Sequence, residues 1–420
     1  MSKGNRNQFV DIMRGIAMLL VVLGHTMTGC TVGAEESFLF NIVWSLQMPM
    51  FILISGYVTK YSRGIVDGAG LWKFFKRRTL AYLLPWVVWS FLVRGIIFGS
   101  SNFLNIKWLL WHMDSGYWFL VTIWTISMIF GVSTFAAKKI SRDSEVKQIV
   151  VTFGLYIIGM AVLLGIGLVE GLSFLGIKLT LYYMPFYFVG YLYGQYRDKI
   201  LKIKWGKSAI DGIIAVCLVS WLIILTRVHL YALPDRGMAI ILRAVSSITG
   251  CVAICGLCKG LFKDNVQNGV GGGTAPLVRI SLSGDLSYPL SASKSVTEIG
   301  EAANKQHRGF CTDIKQLPNN GRIDDVDSQT AKFKQDATTV SVWSQRIGNC
   351  FHWAGKKSLE IYMVHGLVLN VLMPENKPVF PSIVGYGLIG GNFVITVLLC
   401  AAVISLISQN SILKKILGMK

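Results

Sequence analysis

The sequence predicts an all-α integral membrane protein of about ten transmembrane helices, with both termini cytoplasmic and one long polar cytoplasmic loop. Three observations predict it. Of the 420 residues, 53% are hydrophobic and only 15% charged, whereas a soluble domain carries about 25% charged residues; the mean hydropathy is +0.52. The apolar residues fall in blocks of about 20, the length that crosses a hydrocarbon core of about 30 Å. Lys and Arg crowd alternate loops, as in Lys73, Lys76, Arg77 and Arg78 or Arg197, Lys199 and Lys202, while the intervening loops carry few. That asymmetry marks the cytoplasmic side.

The apolar runs lie near 10–30, 38–58, 79–99, 117–136, 148–168, 178–195, 208–226, 238–258, 352–372 and 385–407, the fourth and sixth being the weakest. The first ends in Met27-Thr28-Gly29-Cys30, which loosely resembles a lipoprotein cleavage site. Asp11 and Arg14 at its start, and the many spans that follow, favour an uncleaved first helix. Residues 1–261 are expected to hold eight spans, 262–346 a disordered or loosely folded cytoplasmic loop, and 347–420 the last two spans. A small accessory or regulatory module and an aberrant translated stretch are the alternatives for the loop. Its Gly271-Gly272-Gly273-Thr274 lacks the Gly-Lys-Ser/Thr of a phosphate loop, and His307 and Cys311 lack metal-site partners. No internal repeat is visible.

The net charge of +19 does not indicate nucleic acid, because the cations sit between apolar runs and no zinc-finger or RNA-binding signature accompanies them. The eight cysteines form no disulfide framework, since Cys217, Cys251, Cys255 and Cys400 lie inside apolar runs. Cys251, Cys255 and Cys258 recur at helical spacing and read as small packing residues rather than a soft-metal site.

Charged residues inside spans cost about 2.5–3.5 kcal/mol on insertion scales, so each is a functional candidate. Arg14 and His25 are eleven residues apart on the first run, close to three helical turns, so they project from one face about 16 Å apart along the axis. They can serve two ends of one elongated ligand. A snorkelling arginine paired with Asp11, and a histidine bonded to a neighbouring helix, are the structural alternatives. The second run carries Pro49, Ser55, Gly56 and Tyr57. Lys76-Arg77-Arg78 reads as a topology signal or as a phosphate clamp. Ser358, Tyr362 and His365 share one face of the ninth run, and Arg243 lies inside the eighth; these polar groups should face the bundle interior. Trp108, Trp111, Tyr117 and Trp118 are expected to form an interfacial aromatic belt.

These residues together resemble the acyltransferase 3 family. The stretch from Phe9-Val10-Asp11-Ile12-Met13-Arg14 to His25 resembles its first-helix Arg-x10-His motif. Met48-Pro49-Met50-Phe51 with Ser55-Gly56-Tyr57 resembles its second helix, and Phe75-Lys76-Arg77-Arg78 followed by Pro85 its third. Gly355-Lys356-Lys357-Ser358-Leu359-Glu360-Ile361-Tyr362-Met363-Val364-His365 resembles its penultimate helix. The resemblance implies a ten-helix enzyme of the cell membrane that moves an acyl group, commonly acetyl, from cytoplasmic acyl-CoA to a hydroxyl of a surface polysaccharide, glycolipid or secondary metabolite. The long 262–346 loop departs from the family, which joins those helices briefly.

On this reading Arg14, Lys76, Arg77 and Arg78 bind acyl-CoA as co-substrate, with no metal and no permanently bound cofactor. His25 takes the proton of the acceptor hydroxyl as general base. A transient acyl-His25 is the alternative. Ser55, Tyr57, Arg243, Ser358, Tyr362 and His365 are candidate oxyanion or acceptor contacts. A multipass transporter or flippase for a glycan lipid or polar solute is the competing function, and a non-catalytic scaffold is the third. The scarcity of intramembrane Asp and Glu counts against a proton-coupled carrier.

Overall fold

An apolar run that crosses a bilayer must satisfy its own backbone, which leaves the helix as its form. The computed structural model accordingly is all-helical in its described residues, which belong to one unit within 1–269 and 345–420. The residues it describes are 8–61, 65–113, 116–141, 144–203, 205–231, 237–261 and 345–412, with 233 and 417. The expectation for the 262–346 loop falls almost entirely outside them.

The helices are α1 (Gln8–Cys30), α2 (Phe38–Tyr57), α3 (Gly68–Val87), two short turns α4 (Ser101–Leu104) and α5 (Ile106–Trp111), α6 (Trp118–Ile140), α7 (Glu145–Glu170), α8 (Ile177–Leu201), α9 (Gly206–Arg227), α10 (Gly237–Leu261), α11 (345–356), α12 (Ser358–Leu372) and α13 (Ile383–Gln409). Polar caps start several of them. Ser37 accepts from the Phe40 N–H at 3.1 Å, Asp67 from Gly70 at 2.7 Å and Ser382 from Gly385 at 3.1 Å, each answering one orphan donor of a first turn. Beyond Pro85, α3 widens into π-helical winding over Val88–Ile97.

Among the described residues eight helices are long and apolar enough to cross a membrane: α1, α2, α3 with its π-wound extension, α6, α7, α9, α10 and α13. The protein is therefore a multi-pass membrane protein. The other two expected runs are also helical. α8 has the length, but its tyrosines, Gln195, Arg197 and Asp198 dilute its hydropathy. α12 alone has 15 residues, about 22 Å of rise, and extends α11 across a break at Lys357.

Burial explains why α8 tolerates polarity. It packs along α2, with Tyr183, Met184, Phe186, Tyr187 and Phe188 buried. The two helices cross at glycines. A Cβ on Gly56 would stand 1.9 Å from the Tyr187 carbonyl oxygen, and one on Gly190 the same distance from that of Leu53. α1 and α11 cross in the same reciprocal way at Gly15 and Gly355, where a Cβ would meet the Phe351 and Asp11 carbonyl oxygens at 1.9 and 1.7 Å. Without a hydrophobic force between helices in lipid, such backbone proximity supplies the packing. α1 and α2 are mostly buried, while α7 and α9 are mostly exposed.

Short loops make the consecutive spans antiparallel, so the start of α1 and α3 and the ends of α2, α6 and α8 share one end of the bundle. Clamps close the opposite end. The Val32 N–H donates to Pro378 and the Phe380 N–H to Val32. Asn41 donates to the Val228 carbonyl at 2.9 Å and accepts from the Leu230 N–H at 3.0 Å.

Candidate functional site

α1 is continuous from Gln8 to Cys30, so Arg14 and His25 lie on one helix as expected. His25 is exposed, though Gly24 and Thr26 on either side are buried. Its ring centroid stands 5.3 Å from that of His365 on α12, the planes inclined at 39°. His365 is buried. An exposed imidazole in contact with a buried one lies at the seam between α1 and α12. The Nδ1 of His365 is 3.0 Å from the Ile361 carbonyl oxygen. A carbonyl only accepts, so neutral His365 carries its proton on Nδ1 and leaves Nε2 bare.

Aromatic groups wall this pair. Tyr362 lies 5.8 Å from the His365 ring, and its hydroxyl accepts from the Phe119 N–H at 3.4 Å. Tyr117 packs edge-on against Tyr362 at 6.0 Å and donates to the Met363 carbonyl at 3.0 Å. Tyr117 is thus buried rather than part of an interfacial belt, and Trp118 stacks on Tyr183 at 5.6 Å. Arg94, in the π-wound segment, lies over the Phe103 and Tyr117 rings at 4.5 and 5.9 Å. It also walls a cavity of about 260 Å³ with Ser100, Leu367 and Asn370.

The other end of the bundle is cationic. Arg78 turns inward, donating to the Tyr82 hydroxyl at 3.0 Å, its guanidinium over the Phe74 and Tyr82 rings at 5.3 and 5.8 Å. It lines a cavity of about 160 Å³ with Thr59, Lys60, Thr134, Lys138, Tyr187 and Gln195, and no carboxylate is in that lining. Lys60 pairs with Asp198 outside it. Buried Arg78 Nε and the Tyr187 hydroxyl have no hydrogen-bond partner among the described residues. Lys76 and Arg77 are exposed instead. Arg14 is not in this lining; its Nη1 stands 3.9 Å from buried Asp11, whose other oxygen is 3.6 Å from His352 Nε2 on α11.

The remaining candidates are dispersed. The Ser55 hydroxyl donates back to Phe51 at 2.8 Å, and Tyr57 meets the Tyr61 hydroxyl at 3.2 Å; both belong to the cationic end. Arg243 donates to the Leu230 carbonyl at 2.9 Å and also to that of Leu233, clasping the loop before α10. Ser358 is half-buried one turn before Tyr362. Among the described residues no three His, Cys, Asp or Glu side chains form a metal-binding set.

Sequence reasoning missed Lys60, Lys138, Arg94 and the Asp11–His352 contact. Arg94 carried a usable signal, since it is a charge inside the third apolar run just as Arg14 is inside the first. Lys60 and Lys138 carried none, because each resembles an ordinary loop cation until the helix ends are brought together.

A family model described as an acyltransferase domain matches residues 7–288. Nodulation protein NolL of Mesorhizobium japonicum is 24% identical over 235 residues, covering 52% of this chain and 57% of the relative. Nodulation protein NolL of Sinorhizobium fredii is 25% identical over 214 residues, covering 46% of this chain and 50% of the relative. The chain spans about half the length of these curated relatives. No solved structure matches it.

Proposed function

Because the chain belongs to the acyltransferase 3 family, we propose that it transfers an acyl group, acetyl in the first instance, from cytoplasmic acyl-CoA to a hydroxyl of a glycan or glycolipid. The observation that carries this reading is the polarity of the bundle along its length. Arg78, Lys60 and Lys138 surround a cavity without a carboxylate at one end, and an imidazole pair lies toward the other. An acyl-CoA molecule has the same two-ended chemistry, with phosphates at one end and a thioester at the other.

Arg78 of α3, Lys60 just beyond α2 and Lys138 near the end of α6 hold the donor's phosphates, and both termini face the cytoplasm that supplies it. Arg14, about 16 Å from His25 along α1, lies along the pantetheine arm. The acceptor oxygen attacks the thioester carbonyl carbon while its proton passes to His25. The tetrahedral intermediate collapses, the carbon–sulfur bond breaks, and the thiolate takes the proton back from His25. Tyr362 is the hydroxyl beside the imidazoles that can donate to the oxyanion, whereas Ser55 and Arg243 are engaged elsewhere.

The test uses membranes containing the protein and acetyl-CoA labelled on the acetyl carbon. The reading expects label in a glycan or lipid fraction that grows with the amount of protein. A carrier changes only the location of its solute, so solute movement with no label in any fraction, with longer acyl-CoAs included, would overturn transfer.

A further inference from the structure

We propose that His365 is the positioning residue for His25, accepting a hydrogen bond from one nitrogen of the His25 ring so that the other stays bare toward the acceptor. The proposal rests on the assignment of His25 as base and deepens it.

A histidine base needs its tautomer fixed, the task that a buried aspartate performs in a serine-hydrolase triad. No carboxylate is placed for that task among the described residues. The buried acids are Asp11 and Glu360. Asp11 faces Arg14 and His352, and lies fourteen residues before His25, about 21 Å along α1. Glu360 faces Lys357 at 3.4 Å. The group in ring contact with His25 is His365.

His365 has the chemistry to replace a carboxylate. Its Nδ1–H is committed to the Ile361 carbonyl at 3.0 Å, so Nε2, on the far side of the ring from that bond, is an acceptor. Two imidazoles joined edge-on by a hydrogen bond of about 2.8 Å have centroids roughly 5 Å apart. The observed 5.3 Å is close to that separation, and such contacts tighten when substrate binds. Burial of His365 and its backbone bond hold it still, while the exposed His25 ring is the one that turns.

The chain of donors then runs from His25 N–H to His365 Nε2, and from His365 Nδ1–H to Ile361 oxygen. When the acceptor's proton arrives, His25 becomes an imidazolium with one N–H held by His365 and the other facing the departing sulfur. The proton leaves to the thiolate, and both rings return to their starting tautomers.

The test measures labelled acetyl transfer by the full chain in membranes, using whichever native glycan or lipid fraction takes label. His365→Phe keeps a ring and removes the acceptor; His365→Gln removes the ring and keeps an acceptor oxygen. The proposal expects kcat for His365→Phe to fall roughly 10²-fold at unchanged KM for acetyl-CoA, with most of the loss restored in His365→Gln. If His365→Phe does not insert, His365→Met serves the same arm. Wild-type kcat in the apolar variant overturns the proposal, as does equal impairment of the apolar and Gln variants at unchanged melting temperature. Loss of transfer in His25→Ala with full transfer in His365→Phe sinks this inference alone, whereas full transfer in His25→Ala sinks the assignment of the base itself.

Discussion

Arg78 owes its inward position to Phe74 and Tyr82, whose ring faces hold the guanidinium while Lys76 and Arg77 turn out. Three adjacent cations that look equivalent in sequence therefore differ in use. A hydrogen bond to a charged group is worth about 1.5–3 kcal/mol, so Arg78→Gln should raise KM for acetyl-CoA about 10- to 100-fold. Lys76→Gln and Arg77→Gln should each change it little, and initial rates against donor concentration distinguish the three. Arg243 makes the opposite case. It was a candidate contact by its place inside an apolar run, yet it is built into a loop clamp with Leu230 and Leu233. Arg243→Ala leaves buried carbonyls unanswered, costing about 1–3 kcal/mol. The expected outcome is a lower melting temperature in detergent with transfer per folded molecule retained; normal stability with lost transfer would return Arg243 to the site.

The helices were legible because an apolar block of about 20 residues reports a membrane span directly. Of the two runs that looked weakest, the fourth forms α6, which is long and apolar enough to span; α8 stays weak because its surroundings are other helices rather than lipid, so its tyrosines carry packing that hydropathy does not register. Ser55-Gly56 signals a close helix approach on α2, but its partner on α8 and the crossing of α1 with α11 were not legible, since each depends on two glycines far apart in sequence meeting backbone to backbone. Forcing a side chain into such a contact costs at least about 1–3 kcal/mol. Gly190→Leu should therefore reduce the yield of inserted, folded protein and lower its melting temperature. Gly154, on the exposed face of α7 with no atom near a built Cβ, should accept Ala or Leu with no change in either measure. Equal behaviour of the two sites would contradict the packing account. The same distinction separates the two halves of the candidate site: Arg14 and His25 share one helix and were readable from spacing, whereas the pairing of His25 with His365 needed the tertiary structure.

At the scale of the molecule, the two ends of the bundle differ in chemistry, cationic at one and imidazole-bearing toward the other. On the proposed mechanism the donor would enter at the end that gathers Lys60, Arg78 and Lys138, and the Lys and Arg asymmetry predicts that this end is cytoplasmic. Cys350 on α11 is exposed at that end, near where α11 crosses α1. A membrane-impermeant maleimide should modify it, by peptide mapping, in inside-out vesicles and not in right-side-out ones; the reverse would invert the bundle and place the cationic cavity away from acyl-CoA. In the proposed mechanism the cationic end binds the donor and His25 performs the chemistry, as separable functions of one helix bundle. The measurement that tests it most directly is transfer and donor binding side by side in His25→Ala membranes, with labelled acetyl-CoA as the probe for both. The expected result is that transfer falls by about 10²–10⁴-fold while bound acetyl-CoA stays at the wild-type level. Undiminished transfer by a well-inserted His25→Ala protein would contradict it.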